Sequence, residues 1–222
     1  MPDAALPEPP GARVRDRVVP RWRRELAEAF RARVSKDGEK HPVTRGLAGA
    51  KAEPPNWSEW FRQVDASVVK GTAIMSGAKD KPLLVLSHEG KGRVALLLSD
   101  QIWLWARGYD GGGPHTDLLR RMSHWLMKEP DLEEEALTAK QQGSNLMVER
   151  RTMADSASPV EVTLPSGKAE TITLREVSPG RFQGSLPVTE AGLHRLADGK
   201  LVAVAATGSG DAREMANLLA TR

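Results

Sequence analysis

The chain has 222 residues, 40% hydrophobic and 27% charged, a balance typical of soluble globular chains and compatible with one domain or two. With no Cys there is no disulfide, thiolate metal site or thiol nucleophile, and no apolar run approaches the roughly 20 residues of a membrane helix. The net charge of +3 is uneven: residues 1–50 carry 11 Lys/Arg against 7 Asp/Glu, residues 51–128 carry 11 against 8, and residues 129–222 carry 10 against 14.

Residues 1–20 contain five prolines and few large apolar groups, so residues 1–29 are expected to be a disordered or non-native lead, and MPDAALPEPPGARVRDR lacks the apolar core of a signal peptide. Trp22, Leu26 and Phe30 recur at i, i+4 and i+8, which predicts a short helix over 21–34 with arginines on its other face. KDGEKHPVTRGL (36–47) reads as a turn followed by an extended X-Pro segment at His41-Pro42. In NWSEWFRQVDA (56–66), Trp57, Trp60 and Phe61 predict one apolar helical face or an aromatic plug. VVKGTAIMSG (68–77) is a weaker strand candidate.

PLLVLSHEGKGRVALLLSD pairs apolar runs at 83–86 and 94–98 across Glu89-Gly90-Lys91-Gly92. It predicts a β-hairpin whose uninterrupted runs imply strands buried on both faces. The apolar run at 102–105 reads as a strand, putting Trp103 and Trp105 on one face that packs on a helix or on the Trp57, Trp60 and Phe61 cluster. A loop with Gly108, Gly111, Gly112 and Gly113 follows, then a helix opened by Pro114 over 115–128, its inner face Leu118, Leu119, Met122, Trp125 and Leu126.

Strand, glycine loop and helix is an arrangement that often holds phosphate, but the residues after Gly113 are Pro114, His115 and Thr116. A P-loop needs Lys and Ser/Thr there to reach phosphate oxygens and Mg²⁺. The loop therefore reads as a sharp chain reversal, with proline in the first helical turn where its missing N–H costs nothing. His115 and Asp117 are the residues that a hydrolytic reading would use, with His124, His88 or His41. His115 and His124 are nine apart, unlike the i, i+4 pair of a helical zinc site, and neither Ser99 nor Ser123 sits in a GxSxG elbow.

EPDLEEEALTAKQQGSN (129–145) reads as an acidic link, placed at 133–143. Beyond it NLMVERRTM, PVEVTL, ETITLREV, RFQGSLP, GLHRLAD and KLVAVAA alternate with Pro/Gly-rich turns, the texture of a β-sandwich over 144–222. DAREMANLLATR (211–222) reads as a helix.

HPVTRGL (41–47), PNWSEWFRQVDA (55–66), the hairpin and IWLWARGYDGGGPHTDLLRRMSHWLMKEPDLEEEAL (102–137) resemble the later part of a class I glutamine amidotransferase-like domain. The variant resembled is built into large bacterial membrane proteins of the aerotolerance type. The resemblance extends over about residues 30–222. It implies a partial α/β amidotransferase-like domain at 30–132 and an all-β immunoglobulin-like sandwich at 144–222, truncated at its C-terminal end. The parent protein would be membrane-anchored in the cell envelope.

Such domains take their nucleophilic Cys from an earlier strand-to-helix elbow and use a late His-x-Glu pair. This chain has no Cys, and His115-Thr116-Asp117 only echoes the pair. No catalytic, cofactor-binding or metal residue carries over, and no cofactor is expected. The expectation is a non-catalytic structural or interaction fragment whose partners are proteins or the rest of a parent chain, with no nucleic acid bound and no membrane segment in this chain. Two rivals are an amidotransferase or hydrolase relative using His115 and Asp117, and a nucleic-acid binder using the arginine-rich segment 13–34, which steep salt dependence would reveal.

Overall fold

A computed structural model describes residues 25–197 and 201–204. The sequence expectations for 1–24 and for the 211–222 helix lie outside the described residues. The chain is mostly β, and every pairing between described strands is antiparallel. It divides into two compact units, one of residues up to Gly38 and Gly46–Leu126, the other of Glu39–Arg45 and Met127 onward.

The first unit contains β1 (Glu25–Leu26), β2 (Arg33–Val34), β3 (Gln63–Val64), β4 (Thr72–Ser76), β5 (Pro82–Glu89) and β6 (Gly92–Leu97). Strands β1 and β3 pair with each other, and the remaining four form a sheet in the order β2-β4-β5-β6. The helix expected over 21–34 is not formed from Glu25 onward. In ELAEAFRARV, Leu26, Phe30, Ala32 and Val34 all fall on even positions, and the period of two prevails over the i, i+4 spacing. Phe30 and Trp60 exchange two backbone hydrogen bonds of 2.8 Å, a pairing that a helix would forbid.

The predicted turn at 36–47 begins as a one-turn helix, α1 (Lys36–Lys40), and His41 to Gly46 continue as turns and not as an extended X-Pro segment. The hairpin forms as expected, with Gly90-Lys91 as its two-residue turn and Gly90 at φ +58°. Leu83 to Leu86 of β5 are buried. The expectation of burial on both faces fails for β6, where Val94 and Leu96 are 48% and 51% exposed. Val94 and Leu96 share one face of β6, which is left uncovered while Arg93, Ala95 and Leu97 on the other are partly buried, so apolar composition alone does not bury a strand on both faces.

The run at 102–105 is helical, α2 (Ile102–Ala106), rather than a strand. On a helix, positions two apart point in nearly opposite directions. Trp105 is accordingly 3% exposed and Trp103 50%. Trp105 lies 5.2 Å from Trp57 and 4.7 Å from Trp60 between ring centres, and Phe30 closes the cluster edge-on to Trp60 at 6.2 Å. Trp57 and Trp60 thus form an aromatic plug, on irregular chain and not on a helix. Phe61 points away and meets Tyr109 at 6.0 Å.

The last helix, α3 (His115–Leu126), buries Leu118 and Trp125. Its end is anchored by Arg93 of β6, which lies 5.0 Å over the Trp125 ring and donates from Nη1 to the Trp125 carbonyl at 2.6 Å. Leu126, expected on the inner face, is outward at 37% exposure, because it follows the buried Trp125 by one position and so lies about 100° round the helix from it.

The second unit is built from β7 (Ala136–Gln142), β8 (Asn145–Arg151), β9 (Val160–Thr163), β10 (Ala169–Ile172), β11 (Arg175–Ser178), β12 (Arg181–Pro187), β13 (Gly192–Leu196) and β14 (Leu201–Val204). They make two four-stranded sheets, β11-β12-β8-β7 and β10-β9-β13-β14. Leu146, Val148 and Phe182 of the first pack with Val160, Val162, Ile172 and Leu196 of the second in one apolar core. The sandwich starts earlier than expected. The segment placed as a linker, 133–143, is mostly β7, whose Leu137 and Ala139 alternate inward while Thr138 and Lys140 do not. ETITLREV, read as one run, is divided between the two sheets, with Thr173 and Leu174 making the passage.

Across β8 and β12, Arg181 donates from Nε and Nη2 to the two oxygens of Glu149, at 3.1 and 2.6 Å, and Gln183 donates at 2.7 Å. Burial pushes the Glu149 carboxyl up, but the hydrogen bonds from Arg181 and Gln183 outweigh it and hold the group below the usual carboxylate range.

Two outcomes follow. Trp105→Ala should cost about 3 to 5 kcal/mol, whereas Trp103→Ala should stay within about 0.5 kcal/mol, both read from urea unfolding by indole fluorescence. A depressed folded pKa adds stability above the unfolded value and loses it as pH falls through the folded one. The protection factors of the β8 and β12 amides, taken relative to intrinsic exchange at each pH, should therefore fall from pH 5 toward pH 2, and Glu149→Gln should flatten that acid dependence.

Candidate functional site

Three places carry the polar groups from which a site would be made. The first is the glycine loop. Gly108, Gly111 and Gly112 have φ of +70°, +85° and +71°. The Gly108 N–H donates to the Trp105 carbonyl, the Gly112 N–H to Tyr109 and the His115 N–H to Gly113. A phosphate cradle needs such N–H groups turned toward the ligand, and here these three close the loop on itself. The Gly112 carbonyl accepts from the Ser58 N–H at 2.7 Å. A Cβ at Gly112 would lie 2.9 Å from the Trp105 carbonyl oxygen, and one at Gly113 2.5 Å from the Trp105 ring. The loop wraps Trp105, and its glycines are required by that close approach.

His115 and Asp117, the pair for a hydrolytic reading, are not brought together into a dyad. The Asp117 carboxylate receives Arg120 at 2.6 Å and Arg121 at 2.7 Å, ion pairs along α3. His88 stands edge-on to Trp125, 5.6 Å between ring centres. The Ser99 hydroxyl donates to the Arg62 carbonyl and accepts the Gln101 N–H. Among the described residues no group of three His, Asp or Glu is arranged to hold a metal ion.

The second place lies within the second unit and was not foreseen. His41, 2% exposed, accepts the Val43 N–H at Nδ1 (3.2 Å), so its proton is on Nε2, which faces Glu134 Oε1 at 3.1 Å. Lys40, 9% exposed, donates to the Met153 carbonyl at 3.2 Å and to Asp155 at 2.5 Å. Glu135 accepts the Thr152 hydroxyl at 2.6 Å and the Met153 N–H at 3.0 Å. These contacts fix residues 39–45 against the chain entering β7 and leaving β8. The carboxylates read as a solvated link are here acceptors for specific donors. The partners of Lys40 and His41 lie 93 to 115 positions away, so no local spacing announces them.

The third is a cleft of about 400 Å³ in the first unit. Val64, Leu97 and Leu98 make its apolar lining, and Glu25, Arg62 and Asp100 its charged one. Arg62 donates from Nε and Nη2 to the two oxygens of Asp100, at 3.0 and 2.5 Å. The hydrogen bond from Arg62 holds the Asp100 carboxyl below its usual range. Gln63 turns both ends of its amide inward, accepting the Ala78 N–H and donating to the Pro82 carbonyl. The sequence offered no sign of this cleft, because Glu25 and the 62–64 and 97–100 stretches meet only through the pairings of β1 with β3 and of Val64 with Leu98.

Compared with known protein families, with curated proteins and with solved structures, the chain matches none.

With the glycine loop occupied by Trp105, calorimetric titration of ATP, GTP and NAD should give no saturable micromolar binding, which would require roughly 8 kcal/mol. Gly113→Ala should lower the urea midpoint of the indole fluorescence transition, since the new Cβ meets a buried ring rather than a flexible chain end.

Proposed function

We propose that this chain is a non-catalytic structural or interaction piece of a bacterial cell-envelope membrane protein. In this reading the first unit corresponds to the closing part of a class I glutamine amidotransferase-like α/β domain, and the second to an immunoglobulin-like sandwich. Its partners are proteins or the remainder of a parent chain.

The observation that carries the reading is the use to which the reactive side chains are put. Asp117 is held by two arginines, Ser99 by Arg62 and Gln101, and both ring nitrogens of His41 by Val43 and Glu134. General acid–base or nucleophilic work requires a group free to exchange a proton with substrate. The chain also carries no Cys, the nucleophile on which amidotransferase chemistry depends. The resemblance of HPVTRGL, PNWSEWFRQVDA and the 102–137 segment supplies the family side of the proposal. The described helix at the second unit's entry is a single 3₁₀ turn, Pro130–Leu132, so the two parts follow one another with little intervening chain.

An assay of ammonia release from glutamine tests it directly. The purified chain should show no turnover above buffer. Turnover that disappears in His115→Ala while the urea midpoint is unchanged would overturn the proposal in favour of a hydrolytic enzyme.

A further inference from the structure

We propose that the cleft between β3 and the end of β6 is a binding site for an alkylammonium group, a primary amine on a short apolar stem. This goes beyond the non-catalytic reading and does not depend on it. The cleft's volume of about 400 Å³ lies within the range of small-molecule sites. Its lining divides into two chemistries: Val64, Leu97 and Leu98 offer apolar surface for a methylene stem, and the charges are Glu25, Arg62 and Asp100.

The sign of the ligand follows from how those charges are paired. Arg62 spends Nε and Nη2 on Asp100, so the two form a closed, bidentate unit. Asp100 already supplies the counter-charge of Arg62, so an anionic ligand would meet a guanidinium that is neutralised in place. Glu25 is exposed and, among the described residues, makes no salt bridge; it acts on Arg62 through space, after Asp100. Among the described lining residues the three charges sum to −1, because Arg62 is held first by Asp100 and only secondarily by Glu25. Gln63 contributes no competing polar group, because both ends of its amide are bonded inward to Ala78 and Pro82. A neutral alcohol would reach the apolar surface but leave Glu25 without a counter-charge.

Two sources carry this chemistry, a free alkylamine and the lysine side chain of a peptide, and separate arms distinguish them. The full chain is titrated with cadaverine, with the capped peptide acetyl-Ala-Lys-Ala-amide, and with pentanoate and pentanol as controls, following the backbone amides of Val64, Leu98 and Ser99 by NMR. Saturable shifts at millimolar cadaverine are expected, with pentanoate and pentanol giving none. Shifts with the peptide as well would assign lysine side chains as ligands; shifts with cadaverine alone would assign free amines. Glu25→Gln should weaken cadaverine about two- to fivefold, the worth of one exposed charge pair. Glu25→Lys should invert the preference, so that pentanoate binds and cadaverine does not. Both variants should keep the wild-type urea midpoint, since Glu25 is exposed. The proposal is overturned if neither amine gives saturable shifts, if pentanoate binds wild type as well as cadaverine does, or if Glu25→Gln leaves the cadaverine affinity unchanged.

Discussion

The first unit depends on the burial of one indole. Trp105 sits between Trp57 and Trp60, and each of these reaches it from irregular chain that has no periodic hydrogen bonding of its own. Burying a Trp side chain removes roughly 150 to 250 Å² from water, worth about 4 to 6 kcal/mol. That magnitude explains a cost the cluster carries. Ser58 Oγ and Trp60 Nε1 are buried without a hydrogen-bond partner, each a penalty of about 1 to 3 kcal/mol. Three packed indoles outweigh two orphaned polar atoms.

The same indole accounts for the glycine loop. The chain must turn back over Trp105 within the eight residues 107–114 to start α3, and it does so in backbone regions that favour glycine. The loop that looks like a phosphate cradle is the inside of a reversal around a ring. Its donors are aimed at its own carbonyls, and its spacing answers to the thickness of an indole.

The second unit is organised differently. Its core is aliphatic, with Phe182 the sole aromatic among its described members, and its sheets are joined by apolar packing between their inner faces. Specificity there rests on charged groups at strand margins. Glu149 takes Arg181 and Gln183, Glu134 takes His41, and Asp155 takes Lys40. These are partly buried, where hydrogen bonds to charged groups are worth about twice those between neutral ones. Such contacts place residues 39–45 in this unit although their chain neighbours on both sides belong to the other.

By itself the sequence determined the features that depend on near neighbours. The β5–β6 hairpin, α3, the β-rich second half and the structural role of the glycines were all legible, because turn residues and apolar period act over a few positions. It left α2 misread as a strand, because a five-residue apolar run has no period long enough to separate helix from strand. It read 21–34 as helix, because Leu26 and Phe30 satisfy both periods, and from Glu25 onward only the pairing with Trp60 and β4 selects the extended form. The tertiary structure alone decided that Trp103 faces water while Trp105 is buried, and that the acidic stretch before β7 is bonded rather than solvated. It alone assembled the cleft from Glu25, Arg62 and Asp100. Each of these depends on residues tens of positions apart, whose meeting is fixed by packing and strand register and leaves no trace in local spacing.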